Sequence, residues 1–432
     1  MSISSSLNAG VSGLFANASK LATISDNIAN SSTYGYKRAD VDFSSVVISQ
    51  RQGTYAAGGV RIDAFREVDS QGSLVSTDNP TDLAIGGRGM LPVTALESAD
   101  TPDANFPLLL TSTGSFRPNA DGFLVNEAGL VLMGWPADAS GTIPAQPRDS
   151  SAGLEPIVVN RNQFAASPTT EITLGANLPA AATQAGAAGT PLTISTEYFD
   201  NVGASQTLIS TFTPNVAGPG QSNTWRLEVT DQAQGGAVIG QFDIEFDDST
   251  GFGGQIEDVT AVTGTWDDTT GLLGVTALRG DINLNIGTPL GGSNLTQLSA
   301  EFAPSGVTKN GAAVGTLAGV SVDSEGFVVA TYDSGFNRVI YQVPVANVAN
   351  LNGLDAQDNQ AFTVSSASGG VFFWDAGDGP TGELISFARE ESTADIANEL
   401  TQLIETQRAY SSNASVIRTV DEMLQETTNL KR

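Results

Sequence analysis

Apolar residues near the start of the chain recur at alternating four- and three-residue intervals. The series, with one polar member, is Leu7, Val11, Leu14, Ala18, Leu21, Ser25 and Ile28. This spacing places the side chains on one face and predicts an α-helix over residues 5–30, about 39 Å long. Gly10 and Gly13 lie inside the segment, and each destabilises an isolated helix by roughly 0.8–1.0 kcal/mol relative to alanine. We therefore expect the helix to need a packing partner.

The far end of the chain repeats the pattern. The series there is Ile396, Leu400, Leu403, Gln407, Tyr410, Ala414, Ile417 and Leu424, interrupted at Asp421. Ser392 followed by Asp395 is typical of a helix N-cap with an acidic residue at the third helical position. A single helix of this kind most often covers a globular core. Two of them, at opposite ends of one chain, favour a terminal coiled-coil pair or an assembly interface.

From about residue 83 to residue 384 the pattern changes to short alternating runs separated by turn residues. In 224–230 and 241–247 every second residue is apolar, which is typical of antiparallel strands. An acid-Gly-Phe sequence occurs at 121–123 and again at 325–327, and predicts a turn leading into a strand in both places. We expect these two turns to belong to one domain that the chain leaves and re-enters.

Stretches rich in Ala, Gly and Pro at 178–191 and 287–294 have the composition of connectors and enclose an insert. The predicted fold is α+β and multi-domain, with N- and C-terminal α-helices paired as a coiled-coil-like core and nested, mainly antiparallel β domains between them. Its predicted parts are an N-terminal core helix (1–30), a linker arm (31–82), a discontinuous β domain (83–178 plus 293–385), an inserted acidic β domain (179–292) and a C-terminal core helix (386–432).

Composition narrows the range of functions. The 432 residues include 47 acidic and 19 basic side chains, no histidine and no cysteine, and the formal net charge is -28. Without imidazole or thiol groups, Ser-His-Asp and Cys-His catalysis, histidine zinc sites, disulfides and iron-sulfur clusters are excluded. The negative charge disfavours binding to nucleic acid. No stretch of the sequence approaches the roughly 18 consecutive apolar residues that a membrane-spanning helix needs. The opening segment also lacks the basic start and continuous apolar run of a secretory signal peptide.

Two features could carry chemistry. The acidic cluster at 243–248 could bind calcium or supply a pair of glycosidase carboxylates, but its alternation with apolar residues favours the solvated face of a strand. The glycine-rich segment 86–89 lacks the Lys-Ser/Thr ending of a phosphate-binding loop and predicts a turn. We therefore predict no catalytic residue, no metal site and no cofactor.

The junction after the first helix carries an uncommon motif. Its residues are Asn27, Ile28, Ala29, Asn30, Thr33, Gly35, Tyr36 and Lys37. A second stretch, at 399–413, includes Gln407, Arg408, Tyr410 and Asn413. Together with 71–77 and 82–89, these stretches resemble the bacterial flagellar axial (rod/hook) protein family.

The resemblance implies a structural protein and not an enzyme. Members of this family polymerise into helical tubes, and a chain of this length with one acidic insert is most similar to the hook members, whose flexible curved tube transmits torque from rod to filament. The terminal helices would form the inner core, the β domain the middle layers, and the insert would face outward. The expected assembly interface consists of Leu7, Val11, Leu14, Leu21, Ile28, Ile396, Leu400, Leu403, Tyr410, Ile417 and Leu424.

The resemblance also implies partners and a location. The expected partners are further copies of the chain, the flagellar rod and hook-filament junction proteins, the hook cap and the type III export apparatus, with neither nucleic acid binding nor membrane insertion. The expected location is the flagellar basal body and hook, outside the cell after type III export. Two alternatives stay open: a distal rod or hook-filament junction protein of the same family, and an exported carbohydrate-active or calcium-dependent adhesive protein.

The distribution of charge agrees with this layering. The formal charge is 0 for residues 1–30, -2 for 31–82, -23 for 83–385 and -3 for 386–432. Near-neutral terminal helices can crowd together without large self-repulsion, while the excess negative charge lies on the domains expected to face solvent.

Overall fold

The protein divides into two compact units. The computed structural model describes residues 3–46, 58–99, 106–138, 140–160, 164–216, 218–292 and 294–429. Unit 1 comprises Met1–Asn160, Val320–Ala330 and Arg338–Arg432, and unit 2 comprises Arg161–Gly319 and Thr331–Asn337. The chain therefore leaves the first unit and later returns to it. Part of the predicted linker arm, 47–57, lies outside the described residues.

Unit 1 contains the long helices. Helix α1 spans Ile3–Ala29, α2 is the short Leu96–Ala99, and α3 spans Ile396–Asn429. Both long helices occur where the apolar series predicts them, so the helical ends of the predicted fold are confirmed. Among the described residues, no helix has the length and apolar character needed to cross a membrane.

The rest of unit 1 is built of short strands. Wholly within it are Ala39–Ser45, Val60–Arg66, Leu74–Ser76, Asp82–Gly86, Leu91–Ala95, Leu109–Thr111, Thr113–Ser115, Arg117–Pro118, Leu124–Val125, Leu130–Pro136, Glu155–Pro156, Val345–Val348, Asp355–Ala356, Phe362–Thr363, Val371–Trp374, Glu383–Ser386 and Ala388–Glu390. The strands Ala312–Val322, Phe327–Tyr332 and Asn337–Gln342 contribute residues to both units. Leu91, Phe116 and Leu132 are fully buried, so this unit has an apolar core of its own.

Two small sheets bring the end of the chain back beside its beginning. Leu74–Ser76 pairs with Ala388–Glu390, and Asp82–Gly86 pairs with Glu383–Ser386, in both cases antiparallel. Because α3 begins at Ile396, soon after the last of these strands, its start is held by strands that pair with the early part of the chain.

The two acid-Gly-Phe turns, at 121–123 and 325–327, have the same geometry. The side chains of Asn119 and Asp323, each three residues before the glycine, accept hydrogen bonds of 2.8–3.1 Å from the backbone N–H groups of the first and third turn residues. The glycines have φ of 93° and 87°, in the left-handed region that side chains disfavour. Both predicted turns are confirmed, and both lie in unit 1.

Unit 2 contains a five-stranded antiparallel sheet. Its strands, in spatial and chain order, are Leu192–Phe199, Ser205–Pro214, Thr224–Asp231, Ala237–Phe246 and Ile256–Thr263. The other strands wholly within the unit are Phe164–Ser167, Glu171–Thr173, Ala176–Pro179, Thr265–Asp267, Leu272–Ala277, Gly280–Asn285, Leu295–Leu298, Ala303–Pro304 and Thr308–Lys309.

Strand pairing extends unit 2 beyond the segment 179–292. Glu171–Thr173 pairs in parallel with Gly280–Asn285, and Ala176–Pro179 pairs in parallel with Leu295–Leu298. The separate folding of 179–292 stays a prediction. Antiparallel pairs dominate the described residues of both units, which confirms the α+β class with mainly antiparallel β units between terminal helices.

The alternation predicted for two strands of unit 2 is confirmed. The apolar residues at these positions are at most 2% exposed: Trp225, Leu227, Val229, Phe242, Ile244 and Phe246. On the other face, Arg226 donates two hydrogen bonds of 2.8 Å to the carboxylate of Asp243. Glu245 is exposed on that same face. Asp243 and Glu245 of the acidic cluster therefore lie on the solvated side of a strand whose opposite side forms the core.

Candidate assembly site

The terminal helices of unit 1 pack against each other. Asn27 of α1 is bonded to Glu399 of α3, with 3.1 Å between Asn27 Nδ2 and Glu399 Oε1. Fourteen residues earlier on α1, a Cβ atom at Gly13 would lie 2.9 Å from Nδ2 of Asn413, which is fourteen residues later on α3. Because residue numbers fall along α1 as they rise along α3, the two helices run antiparallel.

The two glycines of α1 lie in the seam between the helices. A Cβ atom at Gly10 would meet Cγ1 of Ile417 at 3.1 Å, and one at Gly13 would meet the amide of Asn413 at 2.9 Å. Glycine lets two helix backbones approach closely because no side chain separates them. The residues that weaken α1 as an isolated helix therefore make room for α3.

The predicted apolar series of α1 lies mostly outside this seam. Leu7, Leu14, Leu21 and Ile28 are half-buried and Val11 is exposed. The fully buried side chains of α1 are instead Ala16, Ile24 and Asn27. Phe15, which the series omits, is 70% exposed. The seam within one chain thus runs beside the apolar face, because glycine and alanine permit the closer approach.

The predicted series of α3 shows the same arrangement. Leu403 and Ile417 are half-buried. Ile396 and Leu400 are each 48% exposed, Tyr410 is 40% exposed and Leu424 is 39% exposed. Further exposed apolar residues on this helix are Ile404, Val416 and Met423. Both helices therefore carry apolar side chains that contacts within one subunit do not cover. Their role as an assembly interface stays a prediction.

The start of α3 differs from the sequence prediction. Asp395, not Ser392, is the N-cap: its Oδ1 accepts hydrogen bonds from the N–H groups of Ala397 at 2.8 Å and Asn398 at 3.2 Å. The hydroxyl of Ser392 accepts a hydrogen bond from Ala394 instead, ahead of the helix. An aspartate and a serine can both cap a helix, so sequence alone did not distinguish the two positions.

The junction motif holds the end of α1 against the strand that follows it. Asn27 is 1% exposed; its Nδ2 donates to the carbonyl of Ala39 at 2.8 Å, and its Oδ1 accepts from the N–H of Ala39 at 2.9 Å. The Tyr36 hydroxyl lies 2.9 Å from Asp26 Oδ2 and 3.0 Å from Asn27 Oδ1. Burial, together with the hydrogen bond to Asp26, raises the pKa of Tyr36 to about 12. The tyrosine is therefore neutral at ordinary pH.

The other motif residues have mixed environments. Asn30 donates to the Asp26 carbonyl at 2.9 Å, Thr33 bonds Asn30 at 3.3 Å, and Gly35 adopts a φ of 72°. Ile28 is half-buried and Ala29 is exposed. In the C-terminal stretch, Gln407, Arg408 and Tyr410 are exposed, and Asn413 is half-buried against α1. The structure thus brings the N-terminal motif to the start of α3 but leaves Gln407, Arg408 and Tyr410 exposed.

A buried ion pair joins the junction to the last strand. Lys37 Nζ lies 2.8 Å from Glu390 Oε1, and the two side chains are 5% and 4% exposed. The same carboxylate oxygen accepts the N–H of Gly72 at 2.7 Å, and Lys37 Nζ also donates to the carbonyl of Ser70 at 2.7 Å. Three separate segments of the chain therefore meet at one hydrogen-bonded charge pair.

A second ion pair joins the junction to α3. Arg38 Nε lies 2.6 Å from Oε1 of Glu399, which is 0% exposed. The guanidinium also reaches Asp40 at 2.8 Å and Glu67 at 3.1 Å. Burial alone would lower the pKa of Arg38, but the hydrogen bonds to Glu399 and Asp40 outweigh it and raise that pKa above its ordinary value. Burial would raise the pKa of Asp40, yet hydrogen bonds from Lys20 and Arg38 lower it.

Comparison with known proteins covers both ends of the chain and its full length. The family described as "Flagella basal body rod protein" matches residues 7–37, and "Flagellar basal body rod FlgEFG protein C-terminal" matches residues 387–430. The flagellar hook protein FlgE of Brucella suis biovar 1 is 36% identical over 434 residues, covering 100% of both chains. That of Rhizobium meliloti is 33% identical over 438 residues, again covering 100% of both.

The chain belongs to the flagellar hook protein family. A solved structure, the Helicobacter pylori flagellar hook protein FlgE2, also aligns with it, with a TM-score of 0.47 at 11% identity, over 72% of this chain and 98% of that one. As a member of the hook family, the chain is a structural subunit that self-polymerises within the flagellum, and its location is the flagellar hook. The predicted family resemblance and the predicted hook role are confirmed.

Two acidic residues at this site were not predicted from the sequence. Glu390 and Glu399 pair with Lys37 and Arg38 across 353 and 361 residues of chain. A signal for them was present, because two adjacent basic residues inside a motif that folds back on a helix cannot be buried without carboxylates. The spacing of residues along the sequence does not show which carboxylates pair with Lys37 and Arg38.

Proposed function

We propose that this hook-family subunit polymerises through the apolar faces of α1 and α3 that point away from their common seam. The observation that carries the proposal is the exposure of apolar side chains, such as Phe15 and Leu400, on helices already packed together along another face. Fully burying a leucine contributes about 1.5–3 kcal/mol. Covering several half-exposed apolar residues would therefore contribute several kcal/mol to each subunit contact.

The geometry of a hook fits such an interface. When the face of one subunit binds a different face of the next, the contact is heterologous, and it builds an open helical polymer where the rotation between subunits does not close a ring. We place the terminal helices in the inner layer of that polymer, the linker and the β domain at 83–178 plus 293–385 in the middle layers, and the acidic segment 179–292 on the outside. A tube of this kind would bend where its outer domains slide while its helices stay packed, and so transmit torque from rod to filament.

Partners follow from this role. We propose that one end of the polymer contacts flagellar rod proteins and that the other end contacts hook-filament junction proteins. The hook cap and the type III export apparatus would serve its assembly. We further propose a structural and not a catalytic role, supported by the structural family and by a composition with neither histidine nor cysteine.

A substitution on the exposed face of α3 tests the interface. Leu400→Asp places a charge at a position that is 48% exposed in the single subunit, so the subunit should fold but polymerise poorly. Val262→Asp, at a 53% exposed position in unit 2, is the matched control and should polymerise normally. Polymer is measured by sedimentation and electron microscopy. Folding is followed by the fluorescence of Trp135, Trp225, Trp266 and Trp374, all of which lie outside the helices.

Fibres of normal length and yield from Leu400→Asp would refute the proposal. So would an equal loss of polymer in the Val262→Asp control, because the effect would then come from added charge and not from the helix face.

A further inference from the structure

One carboxylate connects three elements of unit 1 at the point where α3 begins. Glu399 lies in the first turn of the helix and is 0% exposed. Its Oε1 accepts hydrogen bonds from Arg38 Nε at 2.6 Å and from Asn27 Nδ2 at 3.1 Å. The first of these partners follows the junction turn, and the second is in the last turn of α1. The start of α3 is therefore bonded to the end of its helical partner and to the residue that precedes the strand Ala39–Ser45.

The Arg38 side chain is itself held in place. Its Nη1 donates to Asp40 at 2.8 Å and to Glu67 at 3.1 Å, and its backbone N–H donates to the hydroxyl of Thr393 at 2.8 Å. Its Nη2 reaches Gln402, one turn further along α3, at 3.3 Å. A guanidinium presents its donors in a rigid plane, so these contacts set its orientation as well as its position. The carboxylate of Glu399 consequently binds a fixed and not a mobile partner.

The direction of α3 depends strongly on how Glu399 is held at the start of the helix. From Glu399 to Asn413, which packs against Gly13, the helix rises about 21 Å, and from Glu399 to Asn429 about 45 Å. A change of about 10° at the start of the helix would displace it by about 4 Å at Asn413 and by about 8 Å at its end. The first displacement exceeds the clearance at Gly13, where a single added Cβ atom would already lie 2.9 Å from Asn413.

We propose that Glu399 is a positioning residue for polymerisation. Its bonds to Arg38 and Asn27 fix the angle at which α3 leaves the β strands, and this angle holds the outward faces of α1 and α3 in one register for the neighbouring subunit. Glu390, which lies on the strand before the helix, supports the body of unit 1 and not this angle. The proposal rests on the proposed assembly role of the helices.

A pair of apolar side chains at this position would not fix the angle of α3. Leucine side chains would fill the space, but contact between them is not directional and tolerates rotation of the helix. A buried charge pair with hydrogen bonds on fixed atoms is directional, because rotation would leave the charges unpaired in a medium that solvates them poorly. Buried ionic groups are known to specify register in some helix assemblies.

The test compares variants of the full chain that separate helix direction from folding. Glu399→Gln keeps the shape and one acceptor oxygen but removes the charge, and Glu399→Ala removes both. Glu405→Gln, at an exposed acidic position on the same helix, is the matched control. For each variant the critical concentration for polymerisation is measured. Tryptophan fluorescence reports the β units, and circular dichroism reports helix content in the polymer.

A distance measurement reads the helix angle directly. The chain has no cysteine, so spin labels can be attached to cysteines introduced at Asn8 and Arg418, which are exposed and lie at the same level of the antiparallel pair. The distance distribution is measured in polymers seeded with wild-type subunits and diluted with unlabelled chain. We expect Glu399→Ala to raise the critical concentration at least tenfold and to at least double the width of the distribution, with Glu399→Gln intermediate and Glu405→Gln unchanged.

The outcomes divide clearly. If Glu399→Ala polymerises at the wild-type concentration with an unchanged distance distribution, the positioning role is refuted even where Leu400→Asp abolishes assembly. If Glu399→Ala loses the tryptophan signal of a folded unit 1, Glu399→Gln decides: a folded Gln variant with wild-type assembly refutes the proposal, and one with raised critical concentration and broadened distances supports it. Normal assembly of Leu400→Asp would overturn the proposed function separately.

Discussion

The buried pair of Lys37 and Glu390 offers the sharpest prediction about stability. Glu390→Gln keeps an oxygen able to accept the N–H of Gly72 but leaves the Lys37 ammonium unpaired, 5% exposed. Removing one partner of a buried ion pair typically destabilises a protein by about 3–5 kcal/mol. We expect a loss of this size in unit 1.

Removing both charges should cost less than removing one. The double variant Lys37→Met with Glu390→Leu replaces the pair by apolar groups, so no charge is left in the interior. The remaining penalty comes from the N–H of Gly72, which loses its acceptor at a cost of about 1–3 kcal/mol, and from the carbonyl of Ser70, which loses the Lys37 donor. Asp63→Asn is the matched control, since the Arg61–Asp63 pair is 3.5 Å apart with both side chains more than 60% exposed. An exposed pair contributes about 0–1 kcal/mol.

Hydrogen exchange with mass spectrometry measures these differences locally. The N–H of Gly35 donates to the main-chain carbonyl of Glu390 at 2.8 Å, a bond that every variant retains. At 1.4 kcal/mol per factor of ten, a loss of 3–5 kcal/mol corresponds to exchange at this amide that is about 100- to 4,000-fold faster. Peptides from unit 2 serve as an internal control and should exchange at unchanged rates. A double variant as destabilised as Glu390→Gln would refute the reasoning, because the effect would then not arise from an unpaired charge.

Two further predictions concern glycine and tyrosine. Gly326→Ala should destabilise unit 1 more than Gly129→Ala in urea unfolding. Both glycines have a φ of 80° or more, so the backbone strain of an added side chain is similar at the two positions. A Cβ atom at Gly326, however, would lie 2.3 Å from the carbonyl oxygen of Val343, whereas nothing lies within 4 Å of a Cβ atom at Gly129. Equal losses would show that backbone strain alone, about 1–2 kcal/mol, accounts for both. For Tyr36, the folded-state pKa of about 12 lies above the ordinary 10.0, so its contribution is complete below pH 10 and is lost as pH rises to about 12. Wild type should therefore lose about 2 kcal/mol more than Tyr36→Phe between pH 9 and pH 12, and identical alkaline losses in urea unfolding would contradict this.

The elements of this fold could be predicted wherever local spacing carries the information. Apolar residues at helical spacing predicted both long helices, and period-two alternation predicted Thr224–Asp231 and Ala237–Phe246, because each pattern depends on residues only a few positions apart. The turn before Phe123 was predictable for the same reason, since its glycine and its capping side chain are three residues apart.

Contacts across the chain were not predictable in the same way. The seam between the helices depends on Gly10 and Gly13, which hydrophobic spacing ignores because glycine has no side chain to count. The partners of Lys37 and Arg38 are far away along the chain, and no local rule chooses them from 47 acidic residues. Buried charged side chains must be paired with opposite charges. This requirement predicts that two acidic residues lie beside Lys37 and Arg38, but it does not identify them.

The distribution of paired and exposed charges also differs between α1 and α3, and this difference affects which helix neighbouring subunits can cover in a polymer. Helix α1 has two charged side chains: Lys20 bonds Asp40, and Asp26 lies 3.7 Å from Arg66. Its remaining outward surface is uncharged, so neighbouring subunits can cover it without desolvating an unpaired charge. Helix α3 exposes charges of both signs, Glu405, Arg408, Arg418, Asp421, Glu422 and Glu426. Covering that face would require opposite charges on the neighbour or contact with water. In a crowded array of these helices, α1 can therefore be surrounded on all sides, whereas α3 must keep one face toward water or toward a complementary surface.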